Sequence, residues 1–325
     1  MGKDAEKKIV GIHHVTAIAG DPQRNIDFYT GVLGLRLVKI TVNFDDPHTF
    51  HLYYGDKEGH PGTILTFFLW PGAPKGQRGT GQATVTSFLI PENSIAYWKE
   101  RFKQNGVKFE EPSRRFRNEE ESIIFFDHDD LKLELVSSSE ASKSKYVPRE
   151  KTPVPEKSAI RGFHGITLSE ESCEKTASLL KDTMNFRLVR EEDERIRYEA
   201  LGGGGLGAYV DLLCKPALPR GEVLVGTVHH VAWRTPSDDQ QKDWRQEIAK
   251  VGLRVTPIID RVYFHSIYFR EPGGILFEIA TDSPGFAIDE PEEKLGTTLK
   301  LPPWLEGSRK QIEGVLPKLQ LRESQ

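Results

Sequence analysis

Two stretches decide the fold: Val32-Leu33-Gly34-Leu35-Arg36-Leu37-Val38 and Met184-Asn185-Phe186-Arg187-Leu188-Val189. Each begins where an amphipathic helix ends, passes a Gly or Asn that tolerates a left-handed cap, and continues as β-type sequence. Asn105-Gly106-Val107-Lys108-Phe109 and Val251-Gly252-Leu253-Arg254-Val255 repeat the design. Working outward from these four helix exits gives one unit four times: a short strand, a helix, then a hairpin-rich stretch that closes on an apolar strand. The first unit opens at Ile12, with a helix predicted over 21–33 and a closing strand over 64–70; Asp21 is its N-cap and Pro22 suits the first helical position. The second opens at Thr84, with a helix over 93–105 and a strand over 131–136. The third opens at Phe163, with 171–184 and 208–213, and the fourth at Val228, with 238–251 and 275–281.

The predicted fold class is therefore α+β: four βαβββ modules forming two curved-sheet domains. Modules one and two make the first, 8–136, and modules three and four the second, 161–282. The segment 137–160, rich in Ser, Lys, Glu and Pro, reads as the linker between them. The tail, 283–325, is polar and proline-bearing with one amphipathic stretch near 308–319. It is expected to pack on the surface and take no part in chemistry.

Bulk composition removes several functions. Among 325 residues, 44 are Lys or Arg and 48 Asp or Glu, which lacks the basic footprint of a nucleic-acid binder. No run approaches the ~18 apolar residues that cross a bilayer. The start, Met1-Gly2-Lys3-Asp4-Ala5-Glu6, has no apolar signal-peptide core, and Glu6 stands where myristoylation needs Ser or Thr. Two cysteines, Cys173 and Cys214, cannot build a disulfide framework and point to a reducing compartment. The expectation is a cytoplasmic protein with a small-molecule ligand and no nucleic-acid or membrane partner; a homo-oligomer is compatible with the sequence.

The chemistry-bearing residues are histidines and one glutamate. Of ten histidines, four come as pairs: His13-His14-Val15-Thr16 opens module one and His229-His230-Val231-Ala232 opens module four. Side chains alternate along a strand. His13, Val15 and Ala17, with His229, Val231 and Trp233, form an apolar set suited to packing under a helix. His14 and Thr16, with His230, Ala232 and Arg234, suit a cleft. In Gly273-Gly274-Ile275-Leu276-Phe277-Glu278-Ile279-Ala280 one carboxylate interrupts an apolar strand and needs a cation, a metal or a shifted pKa. His14, His230 and Glu278 together match the two-histidine, one-carboxylate facial set favoured by Fe(II), although Zn²⁺, Mn²⁺ or Ni²⁺ suits the same ligands. A competing cup comes from the repeat spacing: His164, Glu134 and Asp211 fall at matching places, with Thr86 where a second histidine would stand.

Other signals carry less. Gly202-Gly203-Gly204-Gly205-Leu206-Gly207 lacks the Lys-Ser or Lys-Thr of a phosphate loop and reads as a hairpin. Cys173, at a helix start, has no catalytic partner in the sequence. His48 and His51, with Phe50, Tyr53 and Tyr54, line or support the first hairpin, and His60 and His128 read as loop residues.

The βαβββ modules, Phe28-Tyr29 with Leu33-Gly34-Leu35, and the His/His/Glu endings resemble the vicinal oxygen chelate superfamily of glyoxalases, bleomycin-resistance proteins and extradiol dioxygenases. The resemblance covers residues 10 to about 300. More narrowly, His13-His14-Val15-Thr16, His51-Leu52-Tyr53-Tyr54, Arg161-Gly162-Phe163-His164, Val228-His229-His230 and Pro272-Gly273-Gly274-Ile275-Leu276-Phe277-Glu278 are similar to the hydroquinone-type ring-cleaving dioxygenases. That resemblance implies Fe(II) at His14, His230 and Glu278. It also implies supporting roles for His13, Thr16, Arg261 and Tyr268, and a hydroquinone over a catechol, with O2 as co-substrate. The hairpin register leaves Ile267 or Tyr268 opposite Glu278, and Tyr268 or His265 as the local hydrogen-bonding partner; the resemblance selects Tyr268. The competing functions are a glyoxalase-like metal-dependent isomerase or thiol-conjugate lyase, and a non-catalytic protein that binds aromatic compounds.

Overall fold

A computed structural model describes residues 7–116, 119–144, 146, 148, 152–201 and 207–321. The readings of the first six residues and of the glycine run 202–206 lie outside the described residues.

All four predicted helices are present, with tighter bounds. Asp21 accepts the Arg24 amide proton and Pro22 begins the helix Pro22–Ile26, which passes into a π-helical turn, Asp27–Val32. Module three repeats this pairing in Glu174–Ser178 and Leu179–Thr183. The helices Ile95–Gln104 and Asp238–Lys250 bury Trp98 and Trp244 respectively.

Among the described residues the strands form two curled eight-stranded sheets. The first runs, edge to edge, Ile259–Asp260, Phe264–Arg270, Leu276–Pro284, Thr227–Thr235, Ile12–Ala19, Ile64–Leu69, Asp46–Gly55, Arg36–Asn43. The second runs Phe186–Glu192, Arg195–Ala200, Tyr209–Cys214, Phe163–Glu170, Gln82–Ile90, Lys132–Ser137, Glu120–Phe126, Ser113–Arg115. The sheets cut across the predicted halves 8–136 and 161–282. Within a module the opening strand pairs in parallel with the closing strand, which leaves its other edge bare. That edge is satisfied antiparallel by another module's opening strand: Ile12–Ala19 by Thr227–Thr235, and Gln82–Ile90 by Phe163–Glu170. Module one thus shares a sheet with module four, and module two with module three.

Three expectations are corrected. The predicted linker is partly packed. Val154, Ala159 and Ile160 are buried, Thr152 Oγ1 donates to the Gly34 carbonyl (3.0 Å), and Trp98 Nε1 donates to the Ser158 carbonyl (2.9 Å). The tail reaches the interior: Phe286 and Leu295 join Val38, Tyr53 and Phe264 in an apolar cluster. Gly296, with φ of 73°, lies so close to this strand that a Cβ would stand 1.9 Å from the Leu37 oxygen. Lastly, Cys173 and Cys214 are joined in a disulfide. Two cysteines 41 residues apart meet only through tertiary structure, and the inference of a reducing compartment loses its basis. No helix among the described residues is long and apolar enough to cross a membrane.

Candidate metal centre

His14 and His230 lie on the adjacent central strands of the first sheet, and Glu278 on the strand beyond, where it pairs with Ala232. All three side chains are buried. His14 Nε2 and His230 Nε2 are 3.3 Å apart, and they approach Glu278 Oε2 to 3.3 and 3.0 Å. The other carboxylate oxygen, Oε1, accepts a hydrogen bond from Ser266 Oγ (2.5 Å).

Alternation placed His13 and His229 on the helix side, and the structure moves both. Ile12 pairs with Trp233 and His14 with Ala232, so His13 is an extra residue; Thr16 pairs with His230 and Ala17 with Val228, so His229 is another. Each is a β-bulge, which re-aims the side chain. His13 Nδ1 meets His14 Nδ1 at 2.9 Å, and His229 Nδ1 meets His230 Nδ1 at 2.8 Å.

These contacts assign the protons. Burial holds His13 well below the usual imidazole range, and so neutral. Its Nε2–H donates to the Thr281 carbonyl at 3.1 Å, which leaves Nδ1 as an acceptor for the His14 Nδ1–H. His14 Nε2 then carries a bare lone pair. The second histidine pair repeats the Nδ1–Nδ1 contact, without a carbonyl among the described residues on the outer ring to fix which nitrogen donates. Burial pushes His229 down to about 3 and also lowers His230, whose fall Glu278 partly offsets. Two imidazole nitrogens and one carboxylate oxygen therefore converge in a buried space, and Glu278 Oε2 has no hydrogen-bond partner among the described residues. Such an arrangement is repulsive without a cation and matches the borderline N/O donors of a divalent transition metal. The residues present fit a metal.

The triad opens into a cavity of about 350 Å³. Phe44, Phe68, Trp70, Phe264 and Leu276 supply its apolar wall, and Asn43, Asp45, His51, Tyr53, His229, Arg261 and Tyr268 its polar groups. Tyr268 stands opposite Glu278 in the strand register. Its hydroxyl accepts from Arg261 Nε (3.2 Å), and the Arg261 guanidinium also reaches Asp45 (3.0 Å). Burial, then the Glu278 charge, raises the Tyr268 phenol well above its usual value, so it stays protonated. Thr16 is buried beneath the cavity and reaches it through a chain: it shares a hydrogen bond with Thr66 (3.0 Å), Thr66 with His51 (2.6 Å), and His51 with Tyr53 (2.9 Å).

His265 is a correction. It points away from the cavity and pairs with Asp238 at the start of the helix Asp238–Lys250 (2.7 Å). Alternation from Tyr268, opposite Glu278, puts Ser266 and Phe264 toward the cup and His265 away from it. Ser266 and the cleft-facing position of His229 escaped the sequence reading. Doubled histidines at equivalent points of two modules were the available sign of paired bulges.

The competing cup is not a metal site. Thr167 pairs with Asp211 as Ala232 pairs with Glu278, so Gly165 occupies the place of His230. Val85, the partner of Thr167, occupies the place of His14. Asp211 is taken by Arg195 and Arg197, Glu134 by Arg115 and Ser87, and His164 faces Glu120 at 2.9 Å.

The fold and this site define a metal-dependent superfamily. The Glyoxalase/Bleomycin resistance protein/Dioxygenase superfamily matches residues 11–135 and 162–279, and the chain belongs to it. MhqO of Bacillus subtilis, named by assignment as a ring-cleaving dioxygenase, is 49% identical over 96% of this chain and 97% of its own length. The chlorohydroquinone/hydroquinone 1,2-dioxygenase of Sphingobium indicum is 33% identical over 94% and 95%. A crystal structure of a Bacillus subtilis protein assigned as a dioxygenase superposes with a TM-score of 0.91 at 48% identity, covering 98% of this chain and 99% of that one. Glyoxalase I from Zea mays shares the fold (TM-score 0.60, 16% identity, 84% of this chain and 92% of that one).

Proposed function

We propose that this chain is an Fe(II)-dependent ring-cleaving dioxygenase that inserts O2 into a hydroquinone-like aromatic ring. His14, His230 and Glu278 would hold the iron. The observation that carries the reading is the convergence of two imidazole nitrogens and one carboxylate oxygen, within 4.8 Å of one another, beside a cavity with an apolar wall, in a chain with full-length kinship to a hydroquinone dioxygenase.

Bound there, Fe(II) would supply Lewis acidity toward a phenolic oxygen and open positions beside it. The chain's own residues do the rest. Phe44, Phe68, Trp70 and Phe264 present the apolar surfaces that a flat ring needs and exclude water from it. Arg261 is a permanent cation, oriented by Asp45 and Tyr268, and stabilises negative charge developing on a ring oxygen. Tyr268 keeps its proton at Oη and can donate it. His229, in Nδ1 contact with His230, lines the cavity beside the place of a substrate oxygen. His13 lies buried behind His14 and orients it.

The test is oxygen uptake after anaerobic loading with Fe(II), using a panel of hydroquinones, catechols and a hemithioacetal. Uptake with a hydroquinone, and ring cleavage in step with it, supports the proposal. Isomerisation of the hemithioacetal without uptake would replace it with the glyoxalase-like reading. Aromatic binding with neither activity would replace it with a binding protein.

A further inference from the structure

One short sequence occurs twice in this chain with opposite fates. Arg36-Leu37-Val38-Lys39-Ile40 and Arg187-Leu188-Val189-Arg190-Glu191 each lie in the outermost strand of their sheet, and each has a register shift at its valine. In the first sheet the chain's own tail covers the strand. Lys300 N donates to the Ile40 carbonyl (2.9 Å), Thr41 Oγ1 donates to the Lys300 carbonyl (2.6 Å), and Phe286 and Leu295 pack with Val38. Leu37 and Val38 are 1% and 0% exposed. In the second sheet Leu188 and Val189 are 50% and 41% exposed, and among the described residues no backbone group pairs with the outer edge of Phe186–Glu192. A bare edge with apolar side chains is a template for another strand.

The geometry points to a second copy of this chain as the partner, with the two Phe186–Glu192 strands paired antiparallel across a two-fold axis through Val189. Charge complementarity selects that partner. Pairing about Val189 sets Arg187 of each copy opposite Glu191 of the other, so the contact repeats twice in an isologous interface. Like charges set directly opposite across such an edge would repel a copy of themselves. This strand instead reads basic, apolar, apolar, basic, acidic, acidic over residues 187–192 and complements itself. Arg187 already reaches Glu199 of its own chain, and Arg190 reaches Glu119, while Glu191 is exposed. The bulge at Val189 is no obstacle, because Val38 has the same bulge and the tail still bonds to its strand's outer edge. The resulting sheet would run continuously through both copies. The inference is independent of the catalytic reading.

Sedimentation of the full chain over about a hundredfold range of concentration tests it. The expected result is a reversible monomer–dimer equilibrium. Leu188→Lys, Arg187→Glu and Glu191→Arg should each weaken dimerisation by at least about tenfold, and the double variant Arg187→Glu/Glu191→Arg should recover most of that loss. These positions are exposed, and circular dichroism with thermal unfolding verifies that each variant folds. A chain that stays monomeric at every concentration overturns the proposal. So does a dimer indifferent to Leu188→Lys, or a double variant no better than the single charge reversals.

Discussion

Replacing His13 with phenylalanine isolates the proton chain behind the metal centre. The ring that packs against Phe264 at 5.0 Å keeps its shape, while two hydrogen bonds disappear: the one from His14 Nδ1–H and the one to the Thr281 carbonyl. His14 is 2% exposed, so water does not take the vacated place. A buried donor left without an acceptor costs about 1–3 kcal/mol. His14 can escape that cost by moving its proton to Nε2, which removes the lone pair directed at Glu278 and His230. Either route weakens the site, and loss of a ligand's hydrogen-bonding partner typically lowers metal affinity about 10–100-fold, or about 1.4–2.7 kcal/mol. Anaerobic titration with Fe(II) against a chromophoric chelator measures this directly. Wild-type affinity in His13→Phe, alongside lost affinity in His14→Ala, would refute the assignment of protons.

Three other perturbations follow from the same structure. Lys39→Met removes a fully buried ammonium from Asp289 (2.6 Å) and Glu290 (3.1 Å), and should lower stability to urea by about 3 kcal/mol; an unchanged midpoint would show that the tail is held by apolar packing alone. Glu170 is buried beside Glu271, and burial first, then that neighbouring charge, raises its carboxyl from 4.5 to about 8. Because the folded value is the higher one, its contribution is fullest below pH 4.5 and is lost as pH rises toward 8, by up to about 1.4 kcal/mol per unit. Glu170→Gln should flatten that decline in denaturant melts, and an equally steep decline in the variant would contradict it. Opening the Cys173–Cys214 loop should cost up to about 4 kcal/mol, so thiol reductant should destabilise the wild type and leave Cys173→Ser unchanged; equal stability of oxidised and reduced wild type would refute this.

The repeat was legible because each module carries its own local marks: Asp21-Pro22 at a helix start, Asn105-Gly106 and Val251-Gly252 at helix ends. Strand alternation alone set His14, His230 and Glu278 on one face, because none of them is the extra residue of a bulge. The same rule failed for His13 and His229, where the inserted residue breaks the period of two. Tyr268 came opposite Glu278 through the path of the turn, where Glu271 N bonds to the Ile275 carbonyl, a detail of register that sequence leaves open. Ser266 had no signature, since a serine in a strand is ordinary until its carboxylate partner is located. Near-equal spacing misled for His164, because Gly165 rather than His164 falls at the place of His230. The disulfide depends on a long-range contact that no local pattern contains.

The most direct measurement is the metal content and oxygen uptake of one preparation, loaded anaerobically with Fe(II), as wild type and as Glu278→Ala. The wild type should retain one iron per chain and consume O2 with a hydroquinone, and the variant should do neither while keeping its fold by circular dichroism. A folded Glu278→Ala protein that holds iron and turns over like the wild type would contradict the assignment of His14, His230 and Glu278 as the catalytic metal centre.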